Sequence, residues 1–107
     1  MKKYNVRITD DALLDMETIY YYISYELLAP QNAQEQYNRI AKAVLSLEEL
    51  PARNRIFDSE PEHSQGIRKM VVDNYLLCYV VDPDEVTVIA VFYGPSDVIS
   101  RLRERNS

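Results

Sequence analysis

The sequence predicts an α+β domain in the order β-α-α-β-β-β-α, with helices packed on an antiparallel sheet. Three observations lead there. Two apolar stripes of helical period flank Ala29-Pro30, three β-type runs follow one another between residues 67 and 93, and 107 residues are enough for one core. A single domain over residues 1–107 is therefore expected.

Tyr4, Val6 and Ile8 alternate with Asn5 and Arg7, the period-two pattern of a short strand. Thr9 or Asp10 then caps a helix, since a short side-chain oxygen accepts from the unpaired amides of a first turn. Asp10, Asp11 and Asp15 suit the positive end of that helix. Leu13, Met16, Tyr20, Ile23 and Leu27 recur every three or four residues and are expected on one buried face. Ala29-Pro30 ends the pattern, and proline is tolerated at the first position of a new helix because its missing N–H would be unpaired there. Ala33, Tyr37, Ile40, Val44 and Leu47 repeat the spacing as far as Pro51, which completes a helical hairpin.

Residues 52–65 lose all periodicity and carry loop chemistry, in a stretch long enough to be functional or mobile. Strands are expected at 67–72, 75–81 and 86–93. Asp73-Asn74 links the first two, with side chains that tolerate positive φ, and residues 82–85 with Pro83 link the next two. The last two runs are apolar on both faces, so the hairpin covers one face and another layer must cover the other. Ser96 is placed to cap a closing segment over 97–104, whose apolar side is Val98, Ile99 and Leu102.

The net charge of −5, from 12 basic and 17 acidic residues, argues against a general nucleic-acid binder, whose footprint is a basic field. Basic residues do cluster locally, as Arg53, Arg55, Arg68 and Lys69 in mid-chain and Arg101, Arg103 and Arg105 near the end. The single cysteine, Cys78, cannot form an internal disulfide and reads as a core residue. His63 is the only histidine, so no cluster has metal-ligand spacing; Gly66 and Gly94 are the only glycines, so no phosphate loop exists. No metal and no cofactor is expected. Asp10, Asp11, Glu48, Glu49, Glu60 and Glu62 read as solvated surface. The basic N-terminus has no apolar run behind it, which predicts a cytoplasmic protein with neither signal peptide nor membrane span.

Metal-free RNA cleavage needs a cation for the phosphate and a proton donor or acceptor on rigid strands. Arg68, at the head of the first meander strand, suits the phosphate; Tyr93, at the end of the last, suits proton donation or base stacking.

The organisation, and the segments "LSLEELPARNR" and "GIRKMVVDNYLLCYVVDPDEVTVIAVFYGPSDV", resemble the RelE/ParE superfamily of bacterial type II toxins over nearly the whole chain. The resemblance implies a helical hairpin on a twisted antiparallel sheet joined by the N-terminal strand. It also implies a co-encoded antitoxin that wraps the toxin in a hetero-oligomer. RelE-like members cut messenger RNA in the ribosomal A site; ParE-like members poison DNA gyrase. The first activity would assign Arg68 and Tyr93 as catalytic residues, with Arg53, Arg55, Lys69, Arg101 and Arg103 holding substrate. Where such strand ends usually read "YGRRD", this chain has Tyr93-Gly94-Pro95-Ser96-Asp97, without either arginine. Ribosome-dependent mRNA cleavage, gyrase inhibition without catalytic residues, and a degenerate toxin that only binds its antitoxin therefore all remain open. Tyr20, Tyr21, Tyr22 and Tyr25 crowd one helix that cannot bury them all, which makes Tyr21 and Tyr25 candidates for the antitoxin interface.

Overall fold

The computed structural model describes residues 2–106. In chain order the elements are β1 (Asn5–Ile8), α1 (Asp10–Tyr21), α2 (Pro30–Ser46), β2 (Arg68–Val72), β3 (Tyr75–Val81), β4 (Glu85–Tyr93) and α3 (Val98–Asn106). A π-helical turn, Tyr22–Glu26, extends α1, and a 3-10 turn, Pro51–Arg53, follows α2.

The sheet order is β1-β4-β3-β2. Strands β2, β3 and β4 form the expected antiparallel meander, and Asp73 turns the first hairpin with φ of 54°. The N-terminal strand joins parallel to β4, with Val6 opposite Val86 and Ile8 opposite Val88, so the sheet is mixed. Two helices and two strands lie between β1 and β4, ample chain for a parallel crossover.

Each face of the sheet has its own apolar layer. Ala12 and Met16 of α1 and Ile40 and Val44 of α2 pack with Leu77, Tyr79, Val86 and Val88. On the opposite face Cys78, Ala90 and Phe92 are covered by Phe57, Ile67 and the α3 residues Val98 and Leu102. The second layer called for by the two-sided apolar strands is therefore α3 together with Phe57 and Ile67 of the long loop.

Thr9 is the cap of α1, its hydroxyl accepting from the Ala12 N–H at 3.1 Å. The expected stripe holds at Met16 and Ile23 and fails at its two ends. Ala12, Met16 and Ile23 are buried, whereas Leu13 and Leu27 are exposed. Leu13 lies about 100° round the helix from Ala12, and the π-turn carries the chain out of α-helical phase before Leu27. Ser96 does not cap α3. Its hydroxyl donates back to the Tyr93 carbonyl, and Asp97 takes the capping role by accepting from the N–H and hydroxyl of Ser100 at 3.2 and 2.9 Å. A carboxylate suits that position better because it also meets the helix dipole.

Glu62 departs from the solvated reading. Its side chain is 2% exposed and accepts from Ser59 at 2.7 Å and from Arg103 at 3.1 and 3.2 Å. These bonds hold its carboxyl below the usual carboxylate range, with Arg103 the main cause. Burial of Glu62 and Phe57 fixes the long loop to the body of the domain.

Candidate functional site

The β2–β3 register puts Arg68 opposite Tyr79 at one end of the sheet. There the polar groups satisfy one another. Arg68 donates through Nη1 to the Asn54 carbonyl at 2.7 Å and the Ala52 carbonyl at 3.3 Å. The buried Tyr79 hydroxyl donates to the Pro51 carbonyl at 2.6 Å and accepts from Asn54 Nδ2 at 3.0 Å. Burial pushes the Tyr79 pKa up, so the hydroxyl stays protonated. Arg53 folds back on the end of α2, donating to the Glu49 and Leu50 carbonyls and to Ser46 Oγ. Arg103 is held by Glu62 and the Glu60 carbonyl, and Lys69 Nζ lies 5.0 Å from the centre of the Phe57 ring. Arg55 is the exception, 83% exposed with a loose 3.8 Å contact to Asp58.

Tyr93 stands at the other end of the sheet, opposite Tyr75. From Tyr79 to Tyr75 is four residues along β3, roughly 13 Å, and β2 and β4 are separated by about 10 Å across the sheet. Arg68 and Tyr93 therefore stand at opposite ends of the sheet, and the Arg68 guanidinium is engaged by the loop carbonyls of Asn54 and Ala52. Antiparallel pairing is the reason: the start of β2 meets the end of β3, whereas the end of β4 meets its start. His63 does not substitute, since its Nδ1 lies 2.9 Å from the Phe57 carbonyl oxygen.

The Tyr93 end instead forms a groove of about 590 Å³ between the helical hairpin and the sheet. Tyr22 and Leu27, from the π-turn and its exit, face Tyr75 and Tyr93, with Ile19 also lining the groove and Arg101 on its wall. Tyr75 and Tyr93 meet edge to face at 5.9 Å. Gly94 makes the strand end possible: its N–H donates to the Asn74 carbonyl at 2.8 Å, and a Cβ would stand 3.1 Å from that oxygen. Burial first, then Tyr93, Tyr22 and Asp73, raise the Tyr75 pKa, so this hydroxyl too remains neutral at physiological pH. The Arg101 guanidinium rests 4.1 Å from the centre of the Phe92 ring.

At the groove's inner wall Asp15, 11% exposed, accepts from the Val91 N–H at 2.9 Å and from both Nη atoms of Arg105 at 2.7 and 2.9 Å. Arg105 also donates to the Ile89 carbonyl at 3.1 Å. The pair reaches round the β4 edge and joins α1 on one face to α3 on the other. With Asp15 committed in this way, no unengaged carboxylate or histidine lines the groove. Its lining is dominated by the aromatic and apolar side chains of Tyr22, Tyr75, Tyr93, Ile19 and Leu27.

Tyr21 and Tyr25 stack at 5.7 Å on the exposed side of the hairpin and do not line this groove. Tyr20 is half-buried against Tyr37. Sequence reasoning missed Tyr22, Leu27 and Tyr75 as groove residues; counting back through the expected β3–β4 hairpin would have placed Tyr75 beside Tyr93. Among the described residues no group of histidine, cysteine and carboxylate side chains could hold a metal ion, and no helix is long and apolar enough to cross a membrane.

No curated protein matches the sequence. Among solved structures, the chromosomal ParDE toxin–antitoxin system from P. aeruginosa is similar, with TM-score 0.68 and 19% identity, covering 85% of this chain and 96% of that one. The RelBE2 toxin–antitoxin complex from Mycobacterium tuberculosis is similar with TM-score 0.62 and 20% identity over 87% and 93% of the two chains. The YoeB dimer from Staphylococcus aureus gives 0.57 and 18% over 85% and 97%. Residues 6–97 match the family described as the ParE toxin of the type II toxin-antitoxin system parDE. With that match running from within β1 to the residue before α3, the chain belongs to the ParE toxin family and is a toxin of a type II toxin–antitoxin system.

Proposed function

We propose that this toxin acts by binding a protein, DNA gyrase, rather than by cutting RNA, and that its antitoxin neutralises it by occupying the aromatic groove. The separation of Arg68 from Tyr93 carries this reading. The arginine that a nuclease would aim at phosphate is held by backbone carbonyls at the opposite end of the sheet. The toxin then works in the cytoplasm, where gyrase is found, and is stored there as a hetero-oligomer with its antitoxin.

One observation favours the other reading, ribosome-dependent mRNA cleavage. Tyr93 is half exposed in a groove that Arg101 also lines, so a cation and a phenol do lie near each other there. A paired assay separates the two. The purified chain is added to gyrase relaxing and supercoiling a plasmid, and to a translating extract read by primer extension. Loss of supercoiling with intact mRNA is the expected result. A-site cuts with gyrase untouched would replace gyrase by the ribosome as the target.

A further inference from the structure

A second, smaller recess of about 210 Å³ opens between α1 and α2, lined by Glu17, Tyr20, Tyr21, Gln34 and Tyr37 and sharing no residue with the groove. Three of its five walls are tyrosine rings set nearly at right angles. Tyr20 meets Tyr21 at 5.6 Å and 84°, and meets Tyr37 at 6.1 Å and 88°. Tyr21 is in turn stacked on Tyr25, which limits its rotation. Glu17 is exposed on the same helix face one turn before Tyr20 and Tyr21, and no lysine or arginine lines the recess. Gln34 spends its amide N–H on Asn38 Oδ1 at 2.9 Å, which leaves the amide oxygen to accept.

We propose that this recess receives a cationic side chain, arginine or lysine, carried by the antitoxin; the proposal rests on the antitoxin partnership of the family but not on gyrase being the target. Aromatic faces attract cations through the negative face of the ring quadrupole, and a box of several rings is a known way to hold an ammonium or guanidinium group. Glu17 adds a full negative charge at the recess, and the Gln34 oxygen adds an acceptor for a guanidinium or ammonium N–H. A neutral side chain would keep at most the hydrogen bond to the Gln34 oxygen, and an acidic one would be repelled by Glu17. The chain's net charge of −5 favours the same sign of partner.

The test uses the whole chain and two probes of nearly the same shape, N-acetyl-arginine methylamide and its uncharged analogue N-acetyl-citrulline methylamide. Tyrosine ring resonances are followed during titration. The expected result is millimolar binding of the arginine probe, with shifts at Tyr20, Tyr21 and Tyr37 and about fivefold weaker binding of citrulline. Glu17→Gln and Tyr21→Leu should each weaken the arginine probe about fivefold, while Tyr21→Phe, which keeps the ring, leaves it within twofold. Equal binding of both probes, or shifts that Tyr21→Leu leaves unchanged, would overturn the site. Antitoxin affinity is then compared for native chain and Glu17→Gln. A fall of about fivefold supports the antitoxin as occupant, and no change overturns that assignment even where the probe binds. Neither readout involves gyrase or ribosomes, so failure here is distinct from failure of the proposed target.

Discussion

The two ends of the sheet use the same residue types in opposite ways. At the Arg68 end, arginine guanidinium groups and the Tyr79 hydroxyl are bonded inward, to carbonyls and to Glu62, and hold a long loop in place. At the Tyr93 end, the rings of Tyr22 and Tyr93 are exposed and converge with Tyr75 on a groove. Position in sequence does not distinguish a structural from an available side chain; what distinguishes them is whether a backbone carbonyl lies within reach. The long loop supplies those carbonyls at one end, and the short Asp73-Asn74 turn supplies few at the other.

The largest effect expected is at the wall between groove and core. Asp15→Ala leaves the Val91 N–H and the partly buried Arg105 without their carboxylate, and should cost about 2–3 kcal/mol in urea denaturation at constant m-value. A loss below about 1 kcal/mol would mean that the pair is screened like any surface contact. Tyr79→Phe probes the loop end. Its Pro51 and Asn54 partners lose a buried hydroxyl, so a fall of about 1–2 kcal/mol is expected, with faster proteolysis of the 52–66 segment.

Replacing Tyr22 and Tyr93 together by alanine should do the reverse, reducing antitoxin affinity more than tenfold while the melting temperature moves little. If stability falls and affinity holds, the groove is core rather than interface. Arg68→Ala is expected to lower stability by about 1 kcal/mol through its two carbonyl bonds and to leave growth inhibition intact. Relief of toxicity by a variant that still folds would return Arg68 to a catalytic role.

The smallest effect is acid sensitivity. Partners hold the carboxyls of Glu62, Asp73 and Asp97 below their ordinary values, Arg103 acting on Glu62, Arg39 on Asp73 and Ser100 on Asp97. A folded-state pKa below the unfolded one contributes stability at neutral pH, and that contribution is lost as pH falls from about 4.5 through the lowered values. Melting temperature against pH should show this acid limb, and Glu62→Gln should make it shallower.

Much of the architecture was legible because it depends on local rules. Helical period, the Pro30 start, the Asp73-Asn74 turn and the two-sided apolar strands each follow from a few adjacent residues, and the strands formed within a residue or two of their expected places, whereas α1 and α2 end several residues before Leu27 and Pro51. What escaped depends on partners far apart in the chain. The burial of Glu62 requires Arg103, and the exposure of Leu27 follows from a π-turn that no short pattern announces. The direction of β1 was not legible either, since a strand pattern carries no polarity. At the candidate site, the strand positions of Arg68 and Tyr93 were legible, but the distance between them depends on the pairing of β2, β3 and β4, which no single strand pattern shows.

Strand β4 runs past the last residue paired with β1, Val88, as far as Tyr93, and such an unpaired edge is a template on which another chain can add a strand. Asp15 and Arg105, 90 residues apart in sequence, occupy the Val91 N–H and the Ile89 carbonyl on that edge. The clasp thus occupies two of the backbone groups that this edge would offer to an added strand. A chain truncated before Arg105 should lose solubility through edge-to-edge aggregation before it loses its fold.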